Sequence, residues 1–114
     1  VGSGQALRIE NRLPGADANP YLSFAAVLAA GIHGIEHQIE PPDAFRGNGY
    51  TATGFPRMPH TLYRAIDAWE ASDLARHAFG ADVHAHYLNM ARVEQDAFDA
   101  AVTDWERERY LERG

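Results

Sequence analysis

The sequence predicts a mainly α fold, with one N-terminal strand followed by a long loop and four to five helices, and three observations carry that expectation. Charged and apolar residues alternate through Leu7-Arg8-Ile9-Glu10-Asn11-Arg12-Leu13, which is the period of an extended strand. Apolar residues recur at spacings of three and four after Pro20 and again after His60, which is the period of helices. Between these helical stretches Pro41, Pro42, Gly47, Gly49, Gly54, Pro56 and Pro59 leave little room for regular structure, so residues 41–59 read as a loop.

Side chains alternate faces along a strand, so Arg8, Glu10 and Arg12 fall on one face while Leu7, Ile9 and Leu13 fall on the other. On spacing alone two readings of the charged face stay open. It can be a solvated surface with a same-side ion pair, which contributes little. It can also be a binding face, because carboxylate oxygens hold a hard divalent cation while guanidinium forks grip phosphate oxygens.

The helices follow from their caps. Asn19 can accept hydrogen bonds from the first free amides of a helix, and Pro20 suits the first helical position, where no amide donor is needed. From Pro20 to about His37 the stretch is apolar nearly all round, through Tyr21, Leu22, Phe24, Val27, Leu28, Ile32 and Ile35. Such a helix is buried on several sides and needs partners that the rest of the chain only partly supplies. Gly31 and Gly34 would permit close backbone approach at some cost in helix stability.

Further along, Thr61 caps a helix carrying Leu62, Ala65, Ile66 and Trp69, and Ser72 starts a short one through Leu74, Ala75 and Phe79 that stops at Gly80. Asp82 is expected to cap a longer helix with one buried face built from Val83, Tyr87, Met90, Ala91, Glu94, Ala97, Phe98, Ala101 and Val102. Thr103-Asp104-Trp105-Glu106 fits a capping box that opens a last short helix.

Composition excludes several functions. The 114 residues carry a formal net charge of −6, and all ten cations are scattered arginines, so no basic footprint for nucleic acid is present. The apolar run from Tyr21 to Ile32, broken by Ser23, is far short of the ~20 residues a membrane span needs, and no secretion signal opens the chain. Without cysteine there is neither a disulfide framework nor a thiolate metal site. A cytoplasmic location is the expectation.

The six histidines invite a metal reading. His33 and His37, four apart, share a helix face, but no third ligand is evident and Gly34 stands where a catalytic Glu would follow the first His. His60, His77, His84 and His86 are expected to be surface or partly packed residues.

Taken together, Arg8-Ile9-Glu10-Asn11-Arg12, then Gly15-Ala16-Asp17-Ala18-Asn19-Pro20-Tyr21-Leu22, then Ala30-Gly31 and Gly34-Ile35-Glu36, resemble the C-terminal part of the glutamine synthetase catalytic domain. The resemblance is close over the first third and looser through Thr103-Asp104-Trp105-Glu106 to Tyr110. It implies that residues 1–114 are a C-terminal fragment of a larger α+β catalytic domain. Within it, 1–14 would be an active-site strand and turn, 18–38 a core helix, 41–59 a loop and 60–113 a helical C-terminal region. The chain opens at Val1 without an initiator Met, and the rest of the catalytic sheet is expected to lie outside it.

The same resemblance implies an ATP-dependent ligase that joins glutamate to ammonia or a small amine through γ-glutamyl phosphate, with Mg2+ or Mn2+ as the metal. Residue for residue, Glu10 would be a ligand of the metal on the glutamate side, Arg12 would contact the transferring phosphoryl or the substrate carboxylate, and Arg8 would face nucleotide phosphate. The parent is expected to be a ring-forming homo-oligomer and the fragment alone inactive. Tyr50 sits where some bacterial members carry an adenylylated Tyr, but Thr51-Ala52-Thr53-Gly54 lacks the acidic, Leu-containing surroundings of that site.

The Gly15-Ala16-Asp17 insert and the ending Val102-Thr103-Asp104-Trp105-Glu106 look more like the branch that glutamylates polyamines or other amines than like glutamine synthetase proper, which uses ammonia. A reading from a different class is a non-catalytic helical interaction module, in which the Arg and Glu residues form only a salt-bridged edge.

Overall fold

A computed structural model describes residues 3–113, so Val1 and Gly2, which belong to the expected 1–14 segment, and Gly114 lie outside the described residues. The chain divides into two compact units, Val1–Met58 and Pro59–Gly114.

In the first unit a single 3-10 turn, Gly4–Ala6, precedes the alternating segment. Residues 7–13 carry no assigned strand, and the described residues contain no sheet at all. The reason is physical: a strand is held by a ladder to a neighbour, and no second strand is present among the described residues to supply one. The segment instead makes short-range bonds, with Arg8 Nη1 donating to Ala6 O at 3.2 Å and the Leu13 amide to Asn11 Oδ1 at 3.0 Å.

Helix α1 spans Pro20–Glu36 and starts as its sequence dictates: Asn19 Oδ1 accepts the Tyr21 and Leu22 amides at 3.0 and 3.3 Å, with Pro20 opening the first turn. It closes in a Schellman motif, in which the Ile39 amide reaches Gly34 O at 2.9 Å and the Gln38 amide reaches Ile35 O at 3.2 Å. Gln38 takes the left-handed conformation there, at φ 51°, where glycine is usual. None of the residues of α1 is buried, and Tyr21, Phe24, Leu28, Ile32 and Ile35 are all exposed. Among the described residues this all-round apolar helix thus lacks the partners its composition demands.

The loop after α1 contains one further 3-10 turn, Gly49–Thr51, whose start is held by Asn48 Oδ1 accepting the Tyr50 amide at 3.0 Å. Phe45 and Phe55 meet edge to face with ring centroids 5.4 Å apart. Gly47 is required beside them, because its φ is 149° and a Cβ there would stand 3.1 Å from the Phe45 ring.

The second unit is helical throughout: α2 (Leu62–Glu70), α3 (Asp73–Phe79), α4 (Ala81–Ala100) and α5 (Asp104–Tyr110). Thr61, Ser72 and Thr103 cap α2, α3 and α5 as their positions predict. Asp82 does not cap α4. Gly80, at φ 80°, ends α3 and starts α4 in one residue, which places Asp82 in the first turn, where its charge still complements the helix dipole. The helix also stops at Ala100, leaving Ala101 and Val102 outside it.

Helices α2 and α3 both pack on α4, and the buried centre is Ile66, Ala75 and His84. The face that α4 turns inward is His84, Leu88, Ala91 and Gln95; Ala91 was expected there, but Val83, Tyr87, Met90 and Phe98, one position round, are exposed. His84, expected at or near the surface, is only 2% exposed. Hydrogen bonding explains the reversal: His84 Nε2 lies 2.8 Å from Trp69 O, and the Trp69 indole N–H donates to His84 O at 3.0 Å. The two rings stack 5.2 Å apart, tilted by 12°. A polar ring with its bond made is cheap to bury, so apolarity alone picked the wrong stripe.

Candidate functional site

The three residues singled out by alternation do share one side of the chain. Glu10 is the hub: Arg12 donates to its Oε1 from Nε at 2.6 Å and pairs with the same oxygen through Nη2 at 2.5 Å, while Arg8 Nη2 stands 3.7 Å from its Oε2. Both strong contacts fall on one oxygen. The Arg8 distance is too long for a hydrogen bond, so Oε2 keeps acceptor capacity toward a further partner.

All three side chains meet solvent, with Glu10 the least exposed at 32%. At such exposure the pairs add little to stability, and their effect is to hold charges in place. The hydrogen bond to Glu10, then the charge of Glu10, then that of Tyr50 push the Arg12 guanidinium further above its ordinary range. Arg12 is therefore a permanent cation. One carboxylate thus stands between two guanidiniums.

As a metal site the cluster is partial. Glu10 offers a hard carboxylate oxygen of the type Mg2+ and Mn2+ accept, but such ions need near-octahedral coordination. Among the described residues no group of three or more His, Cys, Asp or Glu could hold a metal ion. Glu10 alone would supply one such ligand. His33 and His37 do share a face of α1, with ring centroids 3.9 Å apart, and His37 Nδ1 lies 2.9 Å from His33 O. Among the described residues they gather no third ligand. Among the described residues no helix is long and apolar enough to cross a membrane.

Asn11 had no role in the sequence reading, yet its side chain holds the Leu13 amide immediately beyond Arg12. The available signal was an Asn two residues before the Leu13-Pro14-Gly15 turn, where such side chains commonly bond the backbone two residues on.

Residues 1–110 match the family model of the glutamine synthetase catalytic domain. The chain is 60% identical to the gamma-glutamylethanolamide synthetase GlnA4 of Streptomyces coelicolor, over 99% of its own length and 24% of that protein's. It is 38% identical to a glutamate–isopropylamine ligase of a Pseudomonas species, over 98% of the chain and 25% of the relative. It is 36% identical to the glutamine synthetase of Methanocaldococcus jannaschii, over 95% of the chain and 25% of the relative. The chain thus spans about a quarter of the length of these curated relatives. With its charged triad, its Asn19-Pro20 helix start and a family match across nearly its whole length, the chain belongs to the glutamine synthetase catalytic-domain family.

Proposed function

We propose that this chain is part of an ATP-dependent ligase that joins the γ-carboxylate of glutamate to a small primary amine, with residues 1–14 forming one wall of the active site. The observation that carries the reading is Glu10 held between Arg8 and Arg12 in a chain matched along its length by the family model. The 60% identity to a gamma-glutamylethanolamide synthetase supports an amine, and an alcohol-bearing amine in particular, over ammonia.

The chemistry asks for two steps. A carboxylate and an amine do not condense in water, so the glutamate γ-carboxylate oxygen first attacks the terminal phosphorus of ATP, and ADP leaves. The amine then attacks the resulting γ-glutamyl phosphate, phosphate departs, and the amine nitrogen loses a proton to leave the amide. Little covalent work falls to the protein, so charge placement dominates.

In that frame Arg12 stabilises the transferring phosphoryl group and Arg8 faces nucleotide phosphate. Glu10 would hold a divalent cation, which when bound neutralises phosphate charge. Glu10 also fixes Arg12 before substrate arrives, so less reorganisation is left for the transition state. The other ligands belong to the rest of the parent, and this chain alone would be inactive. We place the parent in the cytoplasm as a ring-forming homo-oligomer.

Supplying the full-length enzyme with glutamate, ATP and, separately, ethanolamine, isopropylamine, putrescine or ammonia tests the reading. The γ-glutamyl amide of a primary amine, detected by mass, is the expected product. Phosphate release and glutamine formation with ammonia alone would identify a glutamine synthetase proper instead.

A further inference from the structure

We propose that Asn11 is a positioning residue for Arg12. The proposal rests on the ligase reading above and adds to it a residue that never touches substrate. Asn11 Oδ1 accepts the Leu13 amide at 3.0 Å, closing a side-chain turn whose middle residue is Arg12. Leu13 is restrained from its other side as well, because Pro14 keeps the residue before it out of the helical region. The backbone on the C-terminal side of Arg12 is thereby fixed by two independent devices. Its guanidinium is then delivered to Glu10 Oε1 at 2.5 to 2.6 Å.

The bond has a second effect. An amide that donates to Asn11 cannot also donate to a neighbouring strand, so any sheet that residues 7–13 join in the parent must stop using this strand's donors at Leu13. Arg12 stands where the pairing ends, and its long side chain leaves the ladder without competing with it. Alanine at position 11 would free the Leu13 amide, let pairing run on past Arg12 and slacken the guanidinium. A misplacement of about 1 Å in a group that acts on a transition state can cost roughly 100-fold in rate.

The test uses the full-length enzyme carrying Asn11→Ala, Asn11→Asp or Arg12→Gln, compared with wild type for kcat, KM for ATP and glutamate, and melting temperature. Asn11→Ala is expected to lower kcat by about 10- to 100-fold, with KM within about twofold and the melting temperature nearly unchanged. Asn11→Asp keeps an acceptor for the Leu13 amide and should return kcat to within about threefold of wild type. If Arg12→Gln abolishes turnover while Asn11→Ala leaves kcat intact, the positioning role is wrong and the ligase site stands. If Asn11→Asp is as impaired as Asn11→Ala, or if the loss of kcat merely follows a loss of stability, the positioning role is again wrong. Wild-type turnover in Arg12→Gln would instead bring down the site assignment itself.

Discussion

Trp69 and His84 exchange hydrogen bonds: the indole N–H of Trp69 donates to the backbone oxygen of His84, and the imidazole of His84 bonds the backbone oxygen of Trp69. Trp69 lies in the last turn of α2, and its carbonyl, which already accepts the Ser72 amide at 3.1 Å, takes a further bond from a side chain of α4 fifteen residues away. Replacing His84 by alanine removes that bond, the stacked ring and the most buried side chain of the unit together. His84→Ala should weaken the α2–α4 packing by about 2 to 4 kcal/mol, whereas His86→Ala, on the exposed side, should stay within about 0.5 kcal/mol. Amide hydrogen exchange in α2 and α4 of the full-length protein reads the difference, and equal effects of the two substitutions would remove His84 from the centre.

Glu106 closes the capping box of α5. Its Oε2 accepts from the Thr103 amide and from the Thr103 hydroxyl, both at 2.8 Å, while the Glu106 amide donates to Thr103 Oγ1 at 3.2 Å. The backbone bond from Thr103 and then the hydroxyl bond hold the Glu106 carboxyl below its usual range. A depressed folded value means that the box contributes fully above the ordinary glutamate pKa of about 4.3 and loses its contribution as pH falls through the lower folded value. Helical chemical shifts of residues 104–110 should therefore fade over that acidic window in the wild type. In Glu106→Gln the same shifts should be flat in pH, and a persisting acid transition there would assign it to another group.

Asn19 is the cap of α1, and Asn19→Ala leaves the Tyr21 and Leu22 amides without their side-chain acceptor. A loss of about 1 kcal/mol is expected, and Asn19→Asp or Asn19→Ser should recover most of it. Chemical denaturation of the full-length protein measures the series, in which equal stability of the alanine and serine variants would contradict the capping role.

Glu10→Ala in the full-length enzyme tests the proposed site from its centre. It removes both the anchor of Arg12 and the carboxylate that this segment offers a cation. Turnover should fall by about 100-fold or more, with the Mg2+ or Mn2+ concentration for half-maximal activity shifted upward. Unchanged turnover and metal dependence would return Glu10 to an ordinary ion-paired surface.

Local features were legible in the sequence because local bonds make them. Asn19, Thr61, Ser72 and Thr103 cap helices within three residues of themselves, and the two-residue period brought Arg8 and Arg12 to Glu10. Gly80 displaced Asp82 as the start of α4 because one left-handed glycine can serve two helices at once. The burial of His84 was illegible for a different reason: the carbonyl that makes it affordable belongs to Trp69, and no pattern within α4 announces it. The expected strand did not form for a related reason: alternation is local, whereas a strand needs a ladder, and the described residues contain no second strand.

Helix α1 carries a consequence of its own. A 17-residue helix held by end caps, with no residue buried, is close to the length at which helices in water are marginal. A surface that covered Tyr21, Phe24 and Leu28 would add the burial its caps do not supply. The helicity of residues 20–36, read by amide hydrogen exchange, is therefore a gauge of whether this apolar face is covered, before any chemistry is measured.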